Sequence, residues 1–426
     1  MDTAANVPPY DVLSAPEAAY VFAWWPGEGW VPAARLTVAE AAPGRPVATL
    51  DYLRGWRARK GAWALDPVNL PLSDAPLRRA PMHGAVLDSL PDRWGRRFVD
   101  DLFERLHDAA AARRGVAAGR RRPGLFDHLF LSPDDRVGAL AFGPTPEHPV
   151  LVPGGVDLGD LPEAVRALSA SPGGPRTGLG TSLGGARPKV TVRMPDGSEW
   201  LAKFGRRGDP VDMVRAEHAM MTLAAAAGAE VCETFVGDAG GVEALFVRRF
   251  DRDDDGGRRP FLSAQTLLGL RDTDEGGSYA EIADKLAEIG APPGDGAELF
   301  RRMAINVACG NTDDHLKNHG VVMSGGAWRL SPAYDVAPCP DGCGWQAISV
   351  GRLGATAEWG NLLSRAERFG LDPGSAAAIA AEVADALAGW RDWFIGRGVS
   401  EGDVRRMGHC FGRLVAPRAP VFGPGR

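Results

Sequence analysis

The chain has 426 residues, 45% of them hydrophobic and 24% charged, with a formal net charge of −6. This balance is typical of a soluble protein of roughly two to three domains and excludes a disordered or low-complexity polymer. The negative charge argues against a surface that wraps nucleic acid, and no apolar run reaches the ~18 residues of a membrane span. The N-terminal residues lack the basic and apolar regions of a secretory signal, so we expect a cytoplasmic protein.

The first third of the chain mixes predicted strands with a helix. Residues 20–25 and 34–38 have a strand pattern with a Pro-Gly turn after the first, and 92–106 place their apolar residues near one helix face. Arginines crowd the segment that follows. They indicate either a solvated face or a patch for a polyanion or an acidic partner; they are Arg105, Arg113, Arg114, Arg120, Arg121 and Arg122.

The middle of the chain changes character twice. Glycine and proline are frequent over 152–185, which predicts a linker that leads into a flexible loop. A hairpin over 190–204, a helix over 214–227 and a strand or hinge over 245–250 follow. Helices then dominate, with one small hairpin among them; the predicted helices are 279–289, 297–308 and 375–394, and the hairpin is 321–330.

The five cysteines are scattered, which favours a reducing compartment over a disulfide framework. Cys339 and Cys343 flank three residues, and His409 precedes Cys410. Neither spacing is common for zinc, and a four-ligand site would need these distant pairs to meet, so we do not expect metal there.

Three oxygen-bearing side chains have the order that phosphoryl transfer from ATP requires. Asp313 is followed five positions later by Asn318 and, beyond the small hairpin, by Asp335. The first aspartate would orient the attacking hydroxyl and take its proton, and the other two side chains would hold Mg²⁺. Mg²⁺ prefers oxygen ligands and usually takes only one or two from protein. His315, within this segment, is expected to shape the loop or to contact the nucleotide.

The remaining parts of an ATP site lie upstream. Lys203 is on the second strand of the predicted hairpin, where it would contact the α- and β-phosphates, and Glu217 on the next helix is its candidate partner. A glycine-rich stretch at 178–185 precedes both and can bring backbone N–H groups close to phosphates. Each element alone is weak, but the combination in chain order is specific. The predicted phosphate contacts of the stretch are Ser182, Leu183, Gly184 and Gly185.

These segments resemble the HipA family, the serine/threonine kinase toxins of bacterial type II toxin–antitoxin modules. The motifs that carry the resemblance are SLGGARPK at 182–189, WLAKF at 200–204, VRRFDR at 247–252, NTDDHLKN at 311–318 and SPAYD at 331–335. The resemblance implies an α+β fold in which an N-terminal mixed α/β subdomain, 1–155, joins a protein-kinase-like core, 156–426. The core would comprise a small β-rich nucleotide lobe, 156–262, and a mainly helical lobe, 263–426.

The resemblance also implies roles and partners. Asp313 is similar to the catalytic aspartate of the family, Phe250 lies where the adenine-side hinge would be, and Ser182 matches the serine that family members autophosphorylate to shut the enzyme off. Family substrates include aminoacyl-tRNA synthetases. The usual partner is a small helix-turn-helix antitoxin, so that DNA would be contacted only through that partner and no membrane is involved.

Three departures from the kinase pattern and two alternatives remain open. The chain has neither G-x-G-x-x-G before its strands nor D-F-G, since Tyr334-Asp335-Val336 stands in that place, and Pro188 removes a backbone donor near the expected phosphates. One alternative is a small-molecule phosphotransferase of the aminoglycoside-kinase or sugar-kinase type. The other is a pseudokinase that serves as a co-repressor scaffold.

Overall fold

The computed structural model describes residues 9–42, 44–91, 93–116, 121–169, 188–271, 276–342 and 344–412. Within these ranges the strands are β1 (Ala18–Trp25), β2 (Gly29–Ala42), β3 (Arg45–Tyr52), β4 (Leu77–Arg79), β5 (Leu140–Gly143), β6 (Val156–Asp157), β7 (Lys189–Arg193), β8 (Glu199–Phe204), β9 (Thr234–Asp238), β10 (Glu243–Arg248), β11 (Phe261–Ser263), β12 (Gly320–Ser324) and β13 (Ala327–Leu330).

The helices within the same ranges are α1 (Arg54–Arg57), α2 (Gly84–Asp88), α3 (Arg93–Arg114), α4 (Leu125–Leu131), α5 (Leu161–Ser169), α6 (Met213–Ala226), α7 (Ala264–Leu267), α8 (Tyr279–Glu288), α9 (Gly294–Cys309), α10 (Trp359–Leu363), α11 (Pro373–Ala388), α12 (Trp390–Ile395) and α13 (Glu401–Arg406). In this described part of the chain, no helix has the length and apolarity needed to cross a membrane.

The chain divides into two compact units. The first comprises 1–202, 239–242 and 251–262, and the second comprises 203–238, 243–250 and 263–426. These units are defined by internal contacts. The division at 155/156 comes from the family resemblance and stays a prediction.

An antiparallel sheet with strand order β4-β3-β2-β1-β5 forms the centre of the first unit. The predicted Pro-Gly turn joins β1 to β2, pairing Trp25 with Gly29. Helix α3 buries Phe98, Phe103 and Leu106 in a core cluster of this unit. The predicted apolar face is therefore the packed one, because side chains three and four residues apart share a helix face.

The arginine-rich segment is partly structural. Helix α3 is longer than predicted and ends at Arg114, which lies 3.4 Å from Asp11. Arg121 donates to both carboxylate oxygens of Asp127, at 2.7 and 2.8 Å, and to the carbonyl of Val12 at 2.9 Å. This guanidinium joins the N-terminal segment to α4, which favours a structural role at this position over a binding patch.

Two predicted elements were wrong in detail. The glycine- and proline-rich stretch after Val152 does not remain a linker, since β6 and α5 form within it. Strand β6 pairs in parallel with β7, placing Val156 beside Val192, and the helix buries Leu161. The predicted helix 375–394 is two helices, α11 and α12, which meet at Gly389; glycine favours such an interruption because it has the largest backbone entropy to lose in a helix.

The second unit is mainly helical and is built around α9. This helix buries Phe300, Met303 and Ile305 and packs against α8 and α11. It ends at Gly310, whose φ is 65°; a Cβ there would lie 2.7 Å from the carbonyl oxygen of Cys410. Only glycine fits this close, left-handed position. The chain therefore leaves the core abruptly and enters the segment 311–318.

Candidate active site

Lys203 lies at the end of β8 and contacts two carboxylates. Its Nζ is 2.6 Å from Oε1 of Glu217 on α6, and it also forms an ion pair with the carboxylate of Asp335. Burial alone would lower the pKa of Lys203, but the negative charges of Asp335 and Glu217 outweigh burial and raise it. Lys203 is therefore a fixed positive charge, and the structure brings together three of the residues selected from sequence.

The position of Glu217 follows from the start of its helix. Asp212 accepts a hydrogen bond from the backbone N–H of Arg215 at 3.1 Å and so begins α6. Such an N-cap satisfies a backbone donor that the first turn leaves unpaired. Glu217 then lies just over one turn into the helix, with only 13% of its side chain exposed.

Asp313 and Asn318 are joined within the loop that follows α9. The amide Nδ2 of Asn318 donates to the carbonyl oxygen of Asp313 at 2.7 Å. The backbone N–H of His315 donates to the same carbonyl at 2.9 Å, and the carbonyl of His315 accepts from the Asn318 N–H at 2.8 Å. Asp313 is exposed, as is His315, so the carboxylate of Asp313 is accessible to an incoming group.

A single β-bridge positions the segment that carries Asp335. Ala333 forms a parallel bridge with Val231, and its carbonyl accepts from the N–H of Cys232 at 2.9 Å. Two residues later Asp335 adopts a φ of 55°. A non-glycine residue takes this left-handed conformation uncommonly, and such residues cluster at functional sites.

Asn311 joins the two aspartates and was missed as a site residue from sequence. Its Oδ1 accepts from the backbone N–H of Asp313, and its Nδ2 donates to the backbone carbonyl of Asp335, each at 3.4 Å. Nδ2 also donates to Oδ1 of Asn306 at 3.0 Å. The available sequence signal was the scarcity of asparagine: the chain has six, and Asn306, Asn311 and Asn318 lie within thirteen residues.

Asp314 is the second residue that sequence reasoning missed. It is fully buried and accepts hydrogen bonds from the hydroxyl of Tyr279 at 2.5 Å, the N–H of Ala347 at 3.0 Å and the amide of Gln346 at 3.2 Å. Burial raises the pKa of Asp314 to about 7, although these hydrogen bonds act in the opposite direction. The neighbour of the predicted catalytic residue is therefore a buried anchor of the same loop.

Phe250, predicted beside the adenine, stacks on Tyr334 with ring centroids 5.6 Å apart. The hydroxyl of Tyr334 donates to the carbonyl of Lys317 at 2.8 Å. An aromatic surface thus lies one residue before Asp335 and is tied to the loop that carries Asn318. The predicted phosphate contacts Ser182, Leu183, Gly184 and Gly185 lie outside the described residues.

The donor set suits Mg²⁺ better than a softer metal. The hydrogen bond of Asn318 uses its amide nitrogen, so its oxygen end could face a cation, and Asp335, the other predicted ligand, would add a carboxylate. Hard oxygen ligands in small number are what Mg²⁺ takes from proteins. In the described part of the chain no three His, Cys, Asp or Glu side chains form a group suited to a metal.

The segment that contains Cys339 and the segment that contains His409 and Cys410 do meet. Their contact is a 2.8 Å hydrogen bond from His409 to the carbonyl of Pro340.

A separate cavity of about 410 Å³ opens beside the N-terminus of α9, and none of the predicted catalytic residues lines it. Arg302 forms part of its wall and donates to the carbonyls of Ser331 and Glu230 at 2.6 and 3.1 Å and to Glu298 at 2.7 Å. A buried guanidinium satisfied in this way holds segments together. Here it fixes the start of the segment that leads to Asp335.

Comparisons with known proteins agree with this architecture. Residues 181–390 match the family model of the HipA-like C-terminal domain. A curated protein from Sinorhizobium fredii (strain NBRC 101917 / NGR234), named "Putative kinase Y4mE", is 28% identical over 263 residues, which are 53% of this chain and 60% of that protein. The chain thus matches about 60% of the length of this relative.

A solved structure extends the likeness to both units. The complex of the Shewanella oneidensis MR-1 toxin–antitoxin proteins HipA and HipB with operator DNA contains a chain that matches with a TM-score of 0.63 and 17% identity, over 93% of this chain and 96% of that one. The α+β fold is therefore that of a HipA-type, kinase-like protein. The family-model match over 181–390 and this structural likeness together confirm the resemblance to HipA proteins that the motifs indicate.

Proposed function

We propose that the chain is an ATP- and Mg²⁺-dependent protein serine/threonine kinase of the HipA type. The observation that carries the proposal is the contact of Lys203 with both Glu217 and Asp335. A lysine on a strand that is oriented by a helix glutamate and lies beside a metal-binding aspartate is the arrangement of protein kinases. In this chain, Asn311 links that aspartate to Asp313.

The residues then have distinct roles. Asp313 accepts the proton of the substrate hydroxyl as its oxygen attacks the γ-phosphorus and the bond to the β-phosphate oxygen breaks. Lys203 holds the α- and β-phosphates, and Glu217 keeps its ammonium group in place. Asn318 and Asp335 would hold Mg²⁺, which when bound offsets charge on the transferring phosphoryl group.

Further contacts complete the proposed nucleotide site. Phe250, with Tyr334 stacked on it, would offer an apolar face to adenine, and His315 would contact the nucleotide or shape the loop. The backbone of Gly184 and its neighbours would contact phosphates. We also propose that Ser182 is autophosphorylated and that the added charge of about −2 repels the nucleotide phosphates, opening the loop and inhibiting the enzyme.

The substrate class and partner are proposed from the family. The acceptor would be a serine or threonine of a protein, by resemblance an aminoacyl-tRNA synthetase, whose phosphorylation would arrest growth. A small helix-turn-helix antitoxin would bind the chain, and the solved HipA complex with HipB and operator DNA supports this. The structural likeness covers 93% of this chain and hence most of its first 150 residues, which favours a protein kinase over a small-molecule phosphotransferase.

The test compares phosphoproteomes of cells that express the wild type or Asp313→Ala, with Asp385→Ala, an exposed aspartate on α11, as the matched control. We expect new phosphoserine or phosphothreonine sites and growth arrest with the wild type and the control only. Toxicity and phosphosites that persist in Asp313→Ala would overturn the proposal. Transfer by the purified protein to an aminoglycoside or a sugar, with no protein labelled, would establish the small-molecule alternative.

A further inference from the structure

A continuous chain of buried hydrogen bonds connects a carboxylate outside the proposed chemistry to both proposed catalytic segments. It begins at Asp314, which accepts from the hydroxyl of Tyr279 at 2.5 Å. The Tyr279 oxygen accepts from Nδ2 of Asn306 at 2.9 Å, and Oδ1 of Asn306 accepts from Nδ2 of Asn311 at 3.0 Å. Asn311 then contacts the backbone of Asp313 and Asp335, so five links connect α8, α9, the segment 311–318 and Asp335.

The first four members of the chain are buried. Tyr279 and Asp314 have no exposed surface, and Asn306 and Asn311 are 2% and 3% exposed. Water is therefore a poor substitute partner for any of them, and each link that is lost leaves a buried polar group unpaired. Such a network has a strong preference for the single arrangement in which every donor meets an acceptor.

The negative charge of Asp314 determines the direction of all these bonds. A carboxylate only accepts, so the Tyr279 hydroxyl must donate to it and must accept from Asn306 in turn. The amide of Asn306 is then oriented with its oxygen toward Asn311. This orients the Asn311 amide so that its oxygen meets the N–H of Asp313 and its nitrogen meets the carbonyl of Asp335.

From this arrangement we propose that Asp314, Tyr279 and Asn306 are positioning residues for phosphoryl transfer, which act through Asn311 to hold the backbone of Asp313 and Asp335 in their catalytic relation. The inference rests on the proposed kinase function. It adds residues that contact neither substrate nor metal and that fix the relation between the proton acceptor and the metal-binding aspartate.

Asp314→Asn tests the direction of the chain with little change in volume. Three donors point at the carboxylate, from Tyr279, Gln346 and the N–H of Ala347. An asparagine must therefore turn its own NH₂ toward at least one of them. If this NH₂ donates to the oxygen of Tyr279, the Tyr279 hydroxyl must donate to Asn306 instead of accepting from it. The amides of Asn306 and Asn311 would then turn over, and the nitrogen of Asn311 would face the N–H of Asp313. Tyr279→Phe tests the same chain by removing one link.

We expect each variant to lower kcat about 10- to 100-fold with a KM for ATP within about threefold of the wild type, because a small misplacement of catalytic groups is costly while nucleotide contacts remain. The double variant should be no worse than the more impaired single variant, since both changes break one chain. The matched control is Tyr52→Phe, which removes a buried hydroxyl that donates to the carbonyl of Leu70 at 2.6 Å in the first unit. It should lower the unfolding midpoint but leave kcat unchanged.

The outcomes separate this inference from the proposed function. If the wild type transfers no phosphate, or Asp313→Ala transfers as much, the proposed function fails first. If the wild type is active and a folded Tyr279→Phe protein keeps kcat within twofold, the positioning role is refuted, because this variant always removes the link between Asp314 and Asn306. It is equally refuted if Tyr52→Phe loses kcat in parallel with Tyr279→Phe, because the loss would then follow stability alone.

Discussion

The ammonium nitrogen of Lys203 lies 2.6 Å from the carboxylate of Glu217 and also contacts the carboxylate of Asp335. Removing this charge should remove a contact to the phosphates in a site where water does not replace it. Lys203→Met should therefore lower kcat/KM for ATP by about 100-fold or more. Steady-state kinetics with varied ATP would measure the loss.

The chain offers a close control for that variant. Lys285 on α8 is also paired with a carboxylate, that of Glu288, at 2.6 Å. Lys285→Met should behave like the wild type, since a partly exposed ion pair between neighbouring helix residues contributes little to stability. Glu217→Gln should reduce kcat/KM less than Lys203→Met, because it loosens the ammonium group without removing it. Equal activity of Lys203→Met and Lys285→Met would place the phosphate contact elsewhere.

Asp335→Asn should reveal the metal site through its Mg²⁺ requirement. The substitution keeps the size of the side chain but removes the negative charge that attracts both Lys203 and a divalent ion. The Mg²⁺ concentration for half-maximal activity should rise about 10- to 100-fold. A magnesium titration at saturating ATP measures it, with Asp385→Asn as the control. An unchanged requirement, together with reduced kcat, would assign Asp335 a role that does not involve the metal.

The sequence predicted those features that depend on local pattern. The hairpin that presents Lys203, the helix that carries Glu217 and the loop from Asp313 to Asn318 each have a short-range signal, in alternation, helical spacing or turn residues. Strand β8 and helices α6 and α9 accordingly form close to their predicted limits. Chain order then sufficed to select Asp335 as a further member of the set.

The connections among these residues depend on long-range packing and could not be read in the same way. Asn311 is a loop residue like many others until the fold brings the carbonyl of Asp335, 24 positions later, within reach of its amide. Asp314 and Tyr279 are separated by 35 positions and become partners only because α8 packs against α9. A buried polar pair of this kind has no periodic signature, so its members resemble surface residues in the sequence.

Ser182 should gain phosphate when the purified protein is incubated with ATP and Mg²⁺. Intact-mass spectrometry should show one added phosphate, and peptide mapping should assign it to Ser182 and not to Thr181. Ser182→Ala should remain unmodified and keep its activity for longer, whereas Ser182→Asp should be less active, since a negative charge beside the nucleotide phosphates repels them. A wild-type mass without added phosphate, under conditions that label a substrate, would contradict self-inhibition.

Asp127 should stabilise the first unit in a pH-dependent way. Burial would raise the pKa of its carboxyl, but hydrogen bonds from Arg121, Tyr10 and the N–H of Gly124 outweigh burial and lower it. The ionised carboxylate thus contributes stability above the pKa of the unfolded chain, about 3.8, and this contribution is lost as the pH falls through the lower folded value.

Asp127→Asn should therefore cost about 2–3 kcal/mol of unfolding free energy at pH 7, because the Arg121 guanidinium loses its charged partner. The difference from the wild type should shrink as the pH falls below about 4. Urea unfolding at several pH values would measure both effects, with Asp108→Asn, an exposed aspartate on α3, as the control. A pH-independent difference would mean that the charge of Asp127 is not what stabilises the pair.

The buried carboxyl of Asp314 should give the enzyme and the fold opposite pH dependences. Its pKa of about 7 is raised by burial. Tyr279 from α8, Cys309 from α9 and Gln346 face it, and His319 interacts with its backbone. Burial raises the pKa of the tyrosine and of the cysteine and lowers that of His319 to about 3, so these three groups stay neutral near pH 7. Protonation of Asp314 should turn an acceptor into a donor and disturb the hydrogen bonds that lead to Asp313. The kcat should therefore increase as the pH rises, with a midpoint near pH 7.

The free energy of unfolding should decrease as the pH rises from about 4 to about 7, because the folded state holds this proton to a higher pH than the unfolded chain does. Asp314→Asn should abolish both trends, and parallel measurements of kcat and of unfolding from pH 4 to 9 would show this. A variant that keeps the wild-type midpoint would assign the titration to another group.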